Sequence, residues 1–189
     1  MKKLSNVLVA GTLMAMAQIA AAQSPLSVNV GFINVDPDED SGVEDDTTLG
    51  ITFDYFINDN VAVELVAALP FEHDIPGYAA STKHLPPTLL AQYHFGTSSS
   101  PFRPFVGAGL NYTIFFSEEA GNLGNDLELD ASFGLAWQLG FNYSVDPAWG
   151  VHFMASQIDI DSDMTVDGAA AGTAEIDPLV LLLGAKFNF

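Results

Sequence analysis

The feature that most constrains this chain is an alternation of apolar with small or polar residues, repeated eight times over its length. Successive side chains of an extended strand point to opposite faces, so each run presents one uniform and one mixed face. The uniform faces are Leu26, Val28, Val30 and Phe32; Leu49, Ile51, Phe53, Tyr55 and Ile57; Val61, Val63, Leu65, Ala67 and Leu69; Leu89, Ala91, Tyr93 and Phe95; Val106, Ala108, Leu110, Tyr112 and Ile114; Phe133, Leu135, Trp137, Leu139, Phe141 and Tyr143; Val151, Phe153 and Ala155; and Leu179, Leu181, Leu183, Ala185, Phe187 and Phe189. None of these faces carries a charge. The opposite faces hold the glycines, amides and ionisable groups, such as Gly107, Gly109 and Asn111, or Asp54, Glu64 and Lys186. A water-soluble barrel or sandwich puts apolar groups inside and charges outside. The inverted arrangement belongs to a barrel whose outer solvent is lipid. Only closure removes the unpaired strand edges that lipid cannot hydrogen-bond. The pattern predicts an all-β fold: an eight-stranded antiparallel transmembrane β-barrel with short periplasmic turns and longer extracellular loops.

The N-terminus follows another rule. Met1-Lys2-Lys3 is a short basic segment, the stretch to Ile19 is mostly apolar and uncharged, and Ala20-Ala21-Ala22 supplies the small residues of a cleavage site. Residues 1–22 are expected to be a cleaved signal peptide, and 23–189 the mature barrel, placed in the bacterial cell outer membrane of a Gram-negative organism. The chain has no cysteine, which excludes disulfides, iron–sulfur clusters, thiol catalysis and lipoprotein attachment. Its 24 acidic against 5 basic residues argue against nucleic acid as a partner. At 49% apolar and 15% charged it is also no disordered acidic chain.

Connection lengths orient the barrel. The links at 58–60, 96–102 and 146–148 are short, while those at about 36–46, 70–85, 117–130 and 159–177 are long. Long external loops and short periplasmic turns are the rule for this class. All acidic residues except Asp54, Asp59, Glu64 and Asp146 then fall on the outer side, against Lys83 as the one base there. They read as a solvated surface. Asp159, Asp161 and Asp163 have the alternate spacing of a calcium loop, but Met164 stands where such a loop needs glycine, so no metal is assigned.

The inward faces divide the lumen into two halves. Near the periplasmic end Asp54, Glu64, Gln92, His94, Arg103 and Lys186 share inward parity. Buried charges need partners, so these residues are expected to form an ion-pair plug. Higher up the inward set turns apolar: Val66, Ala68, Phe115, Met154 and Ile158, with Ser156 among them. An apolar chamber over a polar floor suits small hydrophobic solutes, and eight strands leave too little room for an open water channel.

Catalytic signatures are missing. His152 and Ser156 share a face, but four strand residues separate them by about 13 Å, too far for a nucleophile–base pair. No G-x-S-x-G, S-x-x-K or H-E-x-x-H occurs. His73 and His84 read as solvated loop histidines. The chain is expected not to be an enzyme and to need no cofactor.

Five segments resemble the OmpW family of outer-membrane proteins: DTTLGITFDY (46–55), VAVELVAALPFEH (61–73), KHLPPTLLAQYHFG (83–96), PFRPFVGAGLNYTIFF (101–116) and DPLVLLLGAKFNF (177–189). The resemblance implies a monomeric barrel with a narrow hydrophobic channel, uptake of small hydrophobic molecules and, in some members, a porin or bacteriocin-receptor role. Its partners would be outer-membrane lipid and lipopolysaccharide, the barrel-assembly machinery and the solutes. It also implies lateral release of solute through the wall. Pro86 and Pro87 fit that route, because proline offers no N–H to the strand ladder. The family's constriction pairs a bulky apolar residue with a tryptophan; the matching positions here are Val66 and Ser156, so the tryptophan is absent. The first loop is also short for the family. The alternative function is a non-transporting structural or receptor barrel whose acidic loops bind cations, phage or a bacteriocin.

Overall fold

The computed structural model describes residues 25–37, 44–75 and 79–189. The signal peptide expected at 1–22 lies outside them. Thirteen strands follow in order: β1 Leu26–Asp36, β2 Asp46–Phe56, β3 Val61–Ala68, β4 Phe71–Ile75, β5 Ala80–Leu85, β6 Thr88–His94, β7 Phe102–Glu119, β8 Leu127–Leu129, β9 Ser132–Ser144, β10 Trp149–Ile158, β11 Asp161–Val166, β12 Ala169–Glu175 and β13 Leu179–Asn188. Eight of them, β1, β2, β3, β6, β7, β9, β10 and β13, pair antiparallel in a closed ring, with β13 against β1 and β7 against β9. The fold is the eight-stranded barrel that the alternation predicts.

The alternation also fixes the faces. Along β6, Thr88, Leu90, Gln92 and His94 are buried, while Leu89, Ala91 and Tyr93 are exposed. On β9 Phe133 and Trp137 are 68% and 60% exposed, yet Ala136 and Gln138 beside them are buried. So much aromatic surface has no place in water but fits a hydrocarbon belt. Inside, strands approach closely where β1 meets β13. Gly31 and Gly184 are cross-strand partners, and a Cβ on Gly31 would stand 2.2 Å from the Leu183 carbonyl oxygen.

Outside the ring, the long connections at 70–85, 117–130 and 159–177 carry strands of their own. β4 and β5 form a hairpin laid against the upper part of β7. β7 has 18 residues, or roughly 60 Å of strand, and overshoots the apolar belt of about 25 Å, so its outer end has edges to offer. A second sheet runs β12-β11-β8. Its hairpin turns through Asp167 and Gly168, both at positive φ, the backbone of a tight two-residue turn. The Asp167 carboxylate accepts the backbone N–H of Asn125 at 2.8 Å and of Asp126 at 3.0 Å, tying this hairpin to the segment before β8. The acids of the outer face thus serve partly as turn and strand-end acceptors.

Candidate functional site: a two-storey lumen

The lower storey is polar and closed. Asp54 on β2 and Lys186 on β13 meet at 2.7 Å, both buried. The same carboxylate oxygen accepts from Ser27 Oγ at 3.0 Å and Asn29 Nδ2 at 3.1 Å. Beside Asp54, across β2 and β3, stands Glu64. A hydrogen-bond chain runs toward it in one direction. His94 Nε2 donates to Gln92 Oε1 at 2.8 Å, Gln92 Nε2 to Gln138 Oε1 at 3.0 Å, and Gln138 Nε2 to Glu64 Oε2 at 2.6 Å. Aromatic rings complete the floor. Phe105 lies between His94 and His152, at centroid distances of 4.9 and 5.6 Å, and Phe56 packs on His94 at 4.9 Å.

Five of the six expected plug residues meet here: Asp54, Glu64, Gln92, His94 and Lys186. Arg103 stands at their edge and joins no ion pair among the described residues. Its guanidinium donates to the Asp59 backbone carbonyl at the periplasmic rim and sits 5.6 Å over the Phe56 ring, which Lys186 Nζ also covers at 5.6 Å. The expectation of two charges of each sign converging is corrected to one ion pair plus Glu64. Parity fixes the face a side chain leaves from, but the long arginine stem lets its charge find water at the barrel mouth. Gln138, Asn142, His152, Phe56 and Phe105 are further floor residues. Inward parity was their only signal, and it does not separate a network member from a wall residue.

The upper storey is apolar. Ile33, Val35, Val66, Ala68, Phe71, Met154, Ile158 and Val180 line a cavity there, with Thr88 and Ser156 at its sides and Ala67 and Pro86 at the wall. Of the expected lumen residues, Val66, Ala68, Met154, Ser156 and Ile158 are in this lining. Phe115 is buried but stands higher, against His84. The open volume is only about 10 Å³, barely room for one water, so the chamber is shut in this conformation.

Beside the cavity the wall has a notch. The β3–β6 ladder ends at Val66 and Thr88, while β2 stays paired with β3 up to Ala68, and β6 with β7 at Asn111. Beyond Thr88 come Pro86 and Pro87, which have no N–H to give. Their carbonyls turn the other way: Pro87 accepts from Tyr112 N at 3.1 Å and Pro86 from Asn111 Nδ2 at 3.3 Å, both on β7. Among the described residues, nothing bridges the prolines to β3.

An aromatic stack roofs the chamber. Phe71, fully buried, stacks on His84 at 5.3 Å, and His84 on His73 at 4.9 Å with an 11° interplanar angle. His73 Nδ1 donates to the Glu44 carbonyl at 2.6 Å. Both histidines are buried, which corrects their reading as solvated; the hairpin places them under cover, and hairpin burial leaves no mark in a polar stretch of sequence. Burial, with His73 alongside, pushes His84 down to about 3. On the outer rim Asp159, Asp161 and Asp177 bring carboxylate oxygens within 4.8 Å of one another. Desolvation and the charges of Asp177, Asp159 and Asp163 raise the Asp161 carboxyl above its usual range. Asp163, which the sequence spacing put in this group, instead accepts from Thr173 Oγ1 at 2.8 Å.

Comparison with known proteins places the molecule. The family model described as "OmpW family" matches residues 10–189. Outer membrane protein W of Escherichia coli K12 is 37% identical over 212 aligned residues, covering all of both chains. The crystal structure of the outer membrane protein OprG from Pseudomonas aeruginosa superposes with a TM-score of 0.73 at 33% identity, over 87% of this chain and 95% of that one. Outer membrane protein AlkL of Ectopseudomonas oleovorans is 26% identical over 81% of this chain and 70% of its own.

Proposed function

The chain belongs to the OmpW family, and from that premise we propose that it takes up small hydrophobic molecules through the outer membrane and releases them sideways into the bilayer. The observation that carries this reading is the position of the wall notch. The apolar chamber touches the wall at Ala67 and Pro86, where strand pairing stops, and the storey beneath is packed with hydrogen-bonded polar groups. A solute admitted from above has a desolvated polar floor below it and lipid beside it. Leaving through the wall costs no polar desolvation; crossing the floor would break buried hydrogen bonds at about 1–3 kcal/mol for each group left unsatisfied. Since the chamber is nearly closed, conduction requires the roof, Phe71 with the β4–β5 hairpin, or the flexible Met154 to move.

The protein works as a conduit rather than a catalyst. His152 Nδ1 is engaged with Asn142 Oδ1 at 2.8 Å, and Ser156 Oγ donates to the Trp137 carbonyl at 3.0 Å, so neither is aimed at the other. Uptake of a small apolar tracer into proteoliposomes tests the proposal. Wild type should exceed empty vesicles severalfold. Pro86→Val/Pro87→Val, which restores N–H groups to the ladder, and Val66→Trp, which fills the chamber, should each lose most of that gain. A folded wild-type barrel that matches empty vesicles would sink the transport reading.

A further inference from the structure

Two buried atoms in the floor face each other with nothing between them. Glu64 Oε1 and His152 Nε2 are 3.9 Å apart, both residues are fully buried, and neither atom has a hydrogen-bond partner. Their separation is beyond a direct hydrogen bond. Without a shared proton, neither can serve the other. Asn142 Oδ1 is an acceptor, so the His152 Nδ1 next to it carries the proton and Nε2 carries the lone pair. The amide chain from His94 through Gln92 and Gln138 delivers its last donor to Glu64 Oε2, so Oε1 is the oxygen without a donor, an acceptor as well when Glu64 is ionised.

What such a gap lacks is one atom with at least two N–H or O–H donors, lying within about 2.8 Å of each acceptor. Charge narrows the choice. Among the described residues, the floor's buried charged groups are Asp54, Lys186 and Glu64, and Lys186 is engaged with Asp54 and Ser27. Arg103 is out at the rim on the Asp59 carbonyl. Asp54 and Glu64 are cross-strand partners, so an ionised Glu64 leaves one negative charge over in a desolvated site, which only a proton or a bound cation relieves. A primary ammonium supplies three donors and the missing charge together, whereas a hydroxyl supplies one donor and none of the charge.

The surroundings supply the rest of the ligand. Val66 and Met154 are the next inward residues above Glu64 and His152 on the same strands, about 7 Å higher, and both line the apolar chamber. Met154 is the movable partition: its Sδ accepts from Gln138 Nε2 at 2.9 Å, and methionine is the most adaptable of apolar side chains. Above the chamber, the acid-rich outer face raises the local concentration of cations.

Building on the reading of the upper storey as a solute chamber, we infer that the Glu64–His152 gap is the head-group site for small primary amines, with the apolar tail in the chamber above. The lumen thereby prefers short cationic amphiphiles to hydrocarbons of equal length.

The test uses the whole barrel in lipid nanodiscs, labelled at the histidine ring nitrogens and methionine methyls, and titrated at pH 7 with hexylamine, 1-hexanol or hexane. Hexylamine should shift the His152 ring and the Met154 methyl together, saturably, and bind at least tenfold more tightly than 1-hexanol. Glu64→Gln keeps the shape and removes the charge; it should abolish that preference while the Met154 response to hexane persists. Should that variant not fold, His152→Gln carries the same expectation. Hexylamine and hexane moving only the Met154 signal with equal affinity would overturn the inference, the gap then holding water only. So would an amine response that survives Glu64→Gln but disappears in Asp159→Asn/Asp161→Asn/Asp177→Asn, since the amine would then sit on the outer acids. If hexane itself fails to reach Met154, the chamber reading fails first, and that outcome is distinct from loss of the amine preference alone.

Discussion

The two storeys of the lumen are built by the same strands with the same alternation, yet they are held in different ways. Below, nearly every inward side chain is fixed by a directed bond: Lys186 to Asp54, Gln138 to Glu64, His152 to Asn142. Above, Ile33, Val66, Ile158 and Val180 touch one another without directed partners, and Met154 has only the bond from Gln138 to its sulfur. Removing a partner from the lower network orphans a buried charge, which costs far more than the pair gains. Contacts among aliphatic groups tolerate rearrangement of similar volume. The lower half is therefore the rigid half, and the upper half is where a solute can make room for itself.

The largest effect should come from breaking the rigid half. Lys186→Met leaves Asp54 buried with only Ser27 and Asn29, and should cost about 3–5 kcal/mol of unfolding free energy. Asp54→Leu/Lys186→Met removes both charges and should recover most of the loss. Urea unfolding in lipid vesicles measures both; equal losses in the single and double variants would contradict a network held by charge pairing. In the upper half, Met154→Ala should cost about 3 kcal/mol, within the range for buried methionine. The same substitution removes the partition and widens the chamber, so tracer uptake should rise. Stability lost without faster uptake would mean that Met154 packs the wall but does not limit passage.

The difference between the storeys was only half legible beforehand. Which face each residue takes follows from period two alone: Gln92 and His94 point in and Ala91 and Tyr93 point out because no other assignment keeps charge from lipid. The partners of inward residues are another matter. Asp54 and Lys186 are 132 positions apart, and only ring closure through β1 brings them to 2.7 Å. Arg103 has the right parity but spends its charge at the rim. The outer segments were the least legible. His73 and His84 lie in a polar stretch, and their burial depends on a hairpin docking on β7. In the outer acidic trio Asp177 takes the place expected for Asp163, because β11 pairs with β12 and turns Asp163 toward Thr173.

The roof offers a smaller effect with a defined sign. His84 sits at about 3 in the folded barrel, against about 6.5 in the unfolded chain. Between those values the unfolded chain binds the extra proton, so the roof's stability is complete above pH 6.5 and falls as the pH is lowered toward 3. Roughly 2 kcal/mol should be gone at pH 5. Protection factors of the β4 and β5 amides, the exchange rates referred to the intrinsic rate at each pH, should fall over that range in wild type. They should stay level in His84→Phe, which keeps a ring in the stack without a titrating nitrogen. Protection that ignores pH in wild type would show that the hairpin opens without uncovering His84.

The smallest effect belongs to Lys83, the other lysine among the described residues. Lys83 meets Glu72 at 3.3 Å across the β4–β5 hairpin, but the two side chains are 40% and 58% exposed. Water already solvates both charges, and holding two long side chains in one geometry offsets most of the attraction. Lys83→Ala should therefore cost less than about 0.5 kcal/mol, and added salt should erase even that. The comparison with Lys186 is direct: the same residue type and the same kind of partner, with burial as the variable. A loss above about 1 kcal/mol at Lys83 would mean that the hairpin is clamped by its surface pair. The chamber would then be guarded by a roof as directed in its bonding as the floor, and the soft half of the lumen would shrink to the packing between Val66, Met154 and Ile158.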